Sequence, residues 1–164
     1  MGWFSKDKNT DKTPAAAPKK AGELDGPTFL ALVQQEFNKA GLKHRTGTAG
    51  KLQYIELSFS GDNTNVIVRV ITTHDGSEFK VMTEDFGRFP PEKIPDAYVL
   101  ANHLCRKFKF AKFTVDDDGD ICAQWDMPDN VPADAVGRVI TEVVLRLFNI
   151  VDDAYPETMK AIWS

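Results

Sequence analysis

The stretch FAKFTVDDDGDICAQWDM, residues 110–127, limits what this chain can fold into more than any other segment. Two runs of alternating apolar and polar residues meet at an aspartate cluster ending in Gly119, the pattern of two antiparallel strands joined by a tight turn. The register follows from asking which pairing gathers the apolar side chains onto one face. A three-residue loop of Asp117, Asp118 and Gly119, with Gly119 at the positive-φ position, sets Val115 opposite Ile121, Phe113 opposite Ala123 and Ala111 opposite Trp125. Those six residues share a buried face, and Lys112, Thr114, Asp116, Asp120, Cys122, Gln124 and Phe110 take the other. A two-residue loop would mix Gln124 and Asp126 into the face of Phe113.

The hairpin needs partners, and the chain before it supplies them. From Asp25, GPTFLALVQQEFNKAGL carries Phe29, Val33, Phe37 and Ala40 at helical spacing, with Pro27 in the first turn and Gly41 as a stop. TGTAG, residues 46–50, reads as a flexible loop. KLQYIELSFS alternates, placing Gln53, Ile55, Leu57 and Phe59 on one side, and SGDNTN turns the chain into the β-branched run VIVRVIT. A turn at Asp75 and Gly76 then opposes Val70 to Val81 and Thr72 to Phe79, giving a third strand, EFKVMTE. The prolines of FGRFPPEKIP predict an irregular crossing loop in which Phe86 and Phe89 anchor to the core. DAYVLANHLCRKF follows as a helix with Asp96 as N-cap and Cys105 on its apolar face. After the hairpin, Val136, Val139, Ile140, Val143, Val144, Leu147, Phe148 and Val151 mark a long amphipathic helix, and PETMKAIW reads as a separate short one.

This order, α-β-β-β-α-β-β-α(-α), predicts an α+β domain over residues 24–164, with an antiparallel sheet of about five strands and the helices packed on one face. Residues 1–23, rich in Pro, Ala and Lys, read as a disordered tail. Trp3 and Phe4 stand at its tip as a candidate partner anchor.

Charge and chemistry narrow the function. Residues 1–20 carry a net +3, and residues 111–164 carry a net −7, within a total of −4. A negative body repels phosphate backbones, which argues against nucleic acid as a partner. RKFKFAKF matches an RNA-recognition strand in its aromatic slots, but Lys107 and Lys109 fill the glycine slots and Phe113 points inward. Aligning Gly119 with the glycine of a calcium loop puts Thr114 at the first ligand position and Trp125 where the bidentate Glu belongs, so no metal is expected. His44, His74 and His103 share no ligand spacing, and no nucleophile stands beside a base, so neither a catalytic residue nor a cofactor is expected. The longest apolar run, VITEVVLRLFNIV, is interrupted by Glu142 and Arg146, so no integral membrane insertion is expected. The two cysteines form no CxxC pair, which fits a reducing, cytoplasmic setting. What the sequence favours is recognition of another protein or peptide, with Phe110 and Lys112 as a candidate patch beside Trp3 and Phe4.

The run ANHLCRKFKFAKFTVDDDGDICAQWDMP, followed by a long apolar helix, closely resembles the YbjN-like family of bacterial sensory transduction regulators, which share the type III secretion chaperone-like fold. The resemblance spans roughly residues 24–160 and is carried by Asn102, by Phe110–Gly119 and by Asp126–Pro128. A second Asn of the family pattern is Cys105 here. The resemblance implies a dimer-forming cytoplasmic adaptor or chaperone-like regulator tied to stress or motility, with sensing of a small molecule as the alternative.

Overall fold

The computed structural model describes residues 19–164, so Trp3 and Phe4 lie outside the described residues. Helix α1 (Gly26–Lys39) begins where the Asp25 carboxylate accepts the Thr28 N–H at 2.7 Å and Pro27 needs no partner for its nitrogen. It buries Phe29, Leu30, Val33 and Phe37 and ends at Gly41, whose φ of 69° lets the Leu42 N–H reach the Phe37 carbonyl.

Strands β1 (Arg45–Ala49), β2 (Leu52–Ser60), β3 (Asn65–Thr73) and β4 (Phe79–Thr83) pair antiparallel in sequence order. The β3–β4 register is the expected one, Val70 opposite Val81 and Thr72 opposite Phe79. After the two-residue strand β5 (Gly87–Arg88) comes helix α2 (Ile94–Lys107), then the hairpin β6 (Lys112–Val115) and β7 (Asp120–Asp126). Gln124 pairs with Met82 on one side and Lys112 on the other, so β7 is interior and β6 is the sheet edge. Helix α3 (Val136–Trp163) lies against α1, α2, β3 and β4. All three helices cover the face that carries Ile55, Leu57, Val68, Val70, Val81, Phe113, Ile121 and Ala123, which form the core.

The molecule is therefore α+β, with seven strands where about five were expected. Both additional strands hide in segments whose side chains give no alternation. RTGTA pairs through its backbone and the Arg45–Glu56 ion pair with no apolar side chain, and the Tyr54 ring lies over Gly47 so closely that any Cβ there would overlap it. Gly87 and Arg88 pair with Ile121 and Asp120 inside the proline-rich crossing, which does bury Phe89 and lean Phe86 on Phe113. Helix α2 starts three residues earlier than expected, with Lys93 and not Asp96 at its N-cap: Pro91–Lys93 forms a 3-10 turn that leads into it, Pro95 occupies its first turn, and Asp96 is inside. Residues 19–23, expected within the tail, are ordered here. Lys19 to Gly22 runs along residues 129–133, with Ala133 N–H donating to Lys19 O, Ala21 N–H to Val131 O and Gly22 N–H to Asp129 O, and Ala21 is buried. These are main-chain bonds, which leave no apolar period to read.

The C-terminal helices are one helix of 28 residues with Pro156 inside it. Pro156 has no N–H to give the carbonyl of Asp152 four residues earlier, a loss that ordinarily breaks a helix. Here the β2–β3 turn supplies the missing donor: Asn63 Nδ2 donates to Asp152 O at 3.1 Å. The same turn also grips the Asp152 side chain, whose carboxylate accepts the N–H groups of Asp62, Asn63 and Thr64 at 2.9–3.0 Å. Gly61 completes the fit, because a Cβ there would overlap that carboxylate. Burial alone would raise the Asp152 carboxyl, but the three N–H bonds outweigh it and hold it below the usual carboxylate range.

Asp152→Asn, whose amide oxygen can still accept from Asn63 and Thr64 but whose NH2 then faces the Asp62 N–H, should lose about 2–4 kcal/mol of unfolding free energy in urea titrations. A carboxyl held low contributes its stability above the unfolded value of about 4 and loses it as pH falls through the lower folded value. The wild type should therefore lose its advantage over Asp152→Asn on acidification below about pH 4, and a constant gap would refute the clamp.

Candidate functional site

With every helix on one side, the other face of the sheet is left open. Its side chains alternate with the core: Leu52, Tyr54 and Glu56 from β2, Ile67, Arg69 and Ile71 from β3, Lys80 and Met82 from β4, and Cys122, Gln124 and Asp126 from β7. Ile71 is only 9% exposed although no helix covers it.

The face divides into two chemistries. Towards β1, Glu56 is buried between Arg45 and Arg69: Arg69 Nε donates to its Oε2 and Arg45 to its Oε1, both at 2.7 Å, and Arg69 continues to Glu84 at 3.0 Å. Burial would push the Glu56 carboxyl up, but the two guanidinium groups outweigh it and hold it below its ordinary value. The Arg69 guanidinium also lies 5.8 Å from the centre of the Tyr54 ring. This end is a closed electrostatic lattice, its partners fixed by strand register.

The other end is a depression of about 560 Å³ where β7 leaves β4 after the Lys80–Asp126 pair. Leu52, Ile71, Met127 and Pro128 give it an apolar floor, Phe79 borders it while its ring packs on Phe29 on the helix side, and Glu78, Lys80, Asp126 and Asp129 give it a charged rim. The Asp75 carboxylate, which takes hydrogen bonds from Thr73 Oγ1 and from Ser77 N and Oγ and is lowered to about 2, sets the turn that walls it. Met127 and Pro128 also wall a smaller hollow of about 210 Å³ on the helix side, with Trp125, Val131, Val139 and Val143. Residues 127–128 thus form a ridge between two apolar recesses.

Phe110 and Lys112 are not brought together on one patch. Phe110 has a φ of 70°, and that left-handed kink turns its ring towards Trp125, 5.5 Å away, leaving it 72% exposed near the helix-side hollow. Lys112 reaches Asp126 at 2.9 Å on the open face. The kink also corrects the hairpin. Val115–Ile121 and Phe113–Ala123 pair as expected and Gly119 has a φ of 83°, but the ladder stops at Lys112–Gln124, and Trp125 is only half-buried.

Cys105 is exposed, where the sequence placed it against the core. It sits over the edge strand, its Sγ accepting the Phe113 N–H at 3.2 Å and approaching the Phe113 carbonyl at 3.8 Å, so a thiol caps the outward backbone of β6. Cys122 is half-buried; burial pushes its thiol up, with Asp85 and Asp116 adding to the effect against the Thr114 hydrogen bond. The histidines are dispersed: His44 bonds Leu42 O at 2.9 Å, His74 meets Gln53 at 3.1 Å, and His103 meets Glu157 at 3.4 Å. Among the described residues, no group of three or more His, Cys, Asp or Glu is placed to hold a metal ion, and no helix is long and apolar enough to cross a membrane.

The depression was missed in the sequence because its residues come from four segments. A signal was present in VIVRVIT, where Ile67 and Ile71 flank Arg69 on the face that alternation assigns to water. No protein-family model, no curated protein and no solved structure matches the chain.

Ellman's reagent should titrate one thiol rapidly in the native protein, Cys105, and the second only in denaturant. Two fast thiols, or Cys105→Ser leaving the fast phase unchanged, would refute the placement.

Proposed function

We propose that the protein is a non-enzymatic protein-binding module, acting as a chaperone-like adaptor or regulator in a bacterial cytoplasm. The observation that carries this reading is the uncovered sheet face ending in an apolar depression floored by Leu52, Ile71 and Met127. Apolar surface grouped in one recess with a polar rim is how a protein partner is ordinarily received. The resemblance of residues 24–160 to the YbjN-like family supports the same reading, and the type III secretion chaperone-like fold and a homodimer belong to it. Phe110, exposed beside the second recess, adds a candidate contact on the helix side.

Sensing of a small molecule is the second reading. It is favoured by the size of the depression, which falls within the range of about 300–1,000 Å³ typical of ligand sites. Its mark would be a rise in unfolding temperature with one compound of a metabolite panel.

Affinity capture of the tagged chain from its native cytoplasm should yield a near-stoichiometric protein, and Leu52→Gln combined with Met127→Gln should lose it while keeping the wild-type unfolding transition. Capture that survives this double change would place the contact elsewhere, and capture of nothing at all would favour the small-molecule reading.

A further inference from the structure

The depression carries information about what its occupant is made of. Of its four charged lining residues, three are acidic, Glu78, Asp126 and Asp129, and Lys80 is the only base. Asp126 is already paired with Lys112, whereas Glu78 and Asp129 form no ion pair among the described residues, and both are exposed. The field behind them has the same sign, since residues 111–164 carry a net −7. Beyond Asp129 the chain leaves the depression, and residues 129–133 there hold Lys19 to Gly22 by main-chain bonds, with Lys20 bridged antiparallel to Pro132.

We propose that the depression binds a cationic peptide segment of a partner protein, resting on the protein-binding reading above. An aliphatic or aromatic side chain sits on Leu52, Ile71 and Met127, and a flanking Lys or Arg pairs with Glu78 and Asp129. The apolar side chain supplies most of the affinity and the carboxylates select the sign of the partner, because rim charges act mainly on specificity and on the rate of encounter.

Fluorescence anisotropy of the full chain with two labelled peptides, GKLKFGKLKG and its counterpart GELEFGELEG, tests this directly. The lysine peptide should bind about tenfold or more tightly than the glutamate peptide. Its affinity should fall about tenfold in Glu78→Gln combined with Asp129→Asn, and more steeply with added salt in the wild type than in that variant. Asp117→Asn combined with Asp118→Asn, which removes the same charge at the distant hairpin tip, should leave binding unchanged. Equal loss from the hairpin-tip variant, or no loss from the depression variant, would overturn the site. Preference for the glutamate peptide would overturn the cationic assignment and leave the protein-binding reading standing, whereas binding of neither peptide would count against both.

Discussion

The structure depends on one carboxylate. Asp152 receives three consecutive N–H groups from the β2–β3 turn while its own carbonyl, left without a donor by Pro156, takes the Asn63 amide. A buried charge costs several kcal/mol unless it is satisfied, and here the turn's otherwise orphaned donors satisfy it. The two defects cancel. A tight turn with unpaired N–H groups and a helix with an unpaired carbonyl become one junction, and a 28-residue helix is pinned across the sheet at a fixed height. Val143, Val144, Leu147 and Val151 then fall onto β3 and β4, and the core closes around them.

Pinning α3 on one side determines what the other side can do. Helices α1 and α2 dock on the same layer as α3, so the opposite face of the sheet must manage without a cover. Near β1 it does so by lateral charge pairing, Arg45, Glu56, Arg69 and Glu84 in a row across the strands. Near the β4–β7 divergence no such lattice exists, and Leu52, Ile71 and Met127 shelter instead in a concave recess. One face thus holds a section satisfied within itself and a section with apolar surface still to cover, and the second is where a partner gains by binding.

How much of this could be read beforehand follows the physics of each element. Helix α1, strands β2 to β4 and most of the β6–β7 register were legible because each buries one face of an alternating or helical pattern. Strand β1 was not, since Arg45–Ala49 pairs by backbone and carries no apolar side. The continuity of α3 was hidden for a related reason: Pro156 argues locally for a break, and the donor that repairs it lies about ninety residues away in sequence. Cys105 keeps its helical spacing inside α2 yet is exposed because it overlies the edge strand β6, and the alternation around Phe110 is interrupted by its own left-handed backbone. The depression is the clearest case, because Leu52, Ile71 and Met127 become neighbours only after the sheet is formed.

Native-state hydrogen exchange at the amides of Asp62, Asn63 and Thr64 tests the Asp152 junction most directly. These three N–H groups sit in a short turn, where exchange is ordinarily fast, yet their acceptor is a buried carboxylate on the central helix. The account predicts protection as strong as that of the β2 and β3 core amides, with all three exchanging only on global unfolding. Exchange at the rate of an open surface turn would contradict it and leave α3 held by apolar packing alone.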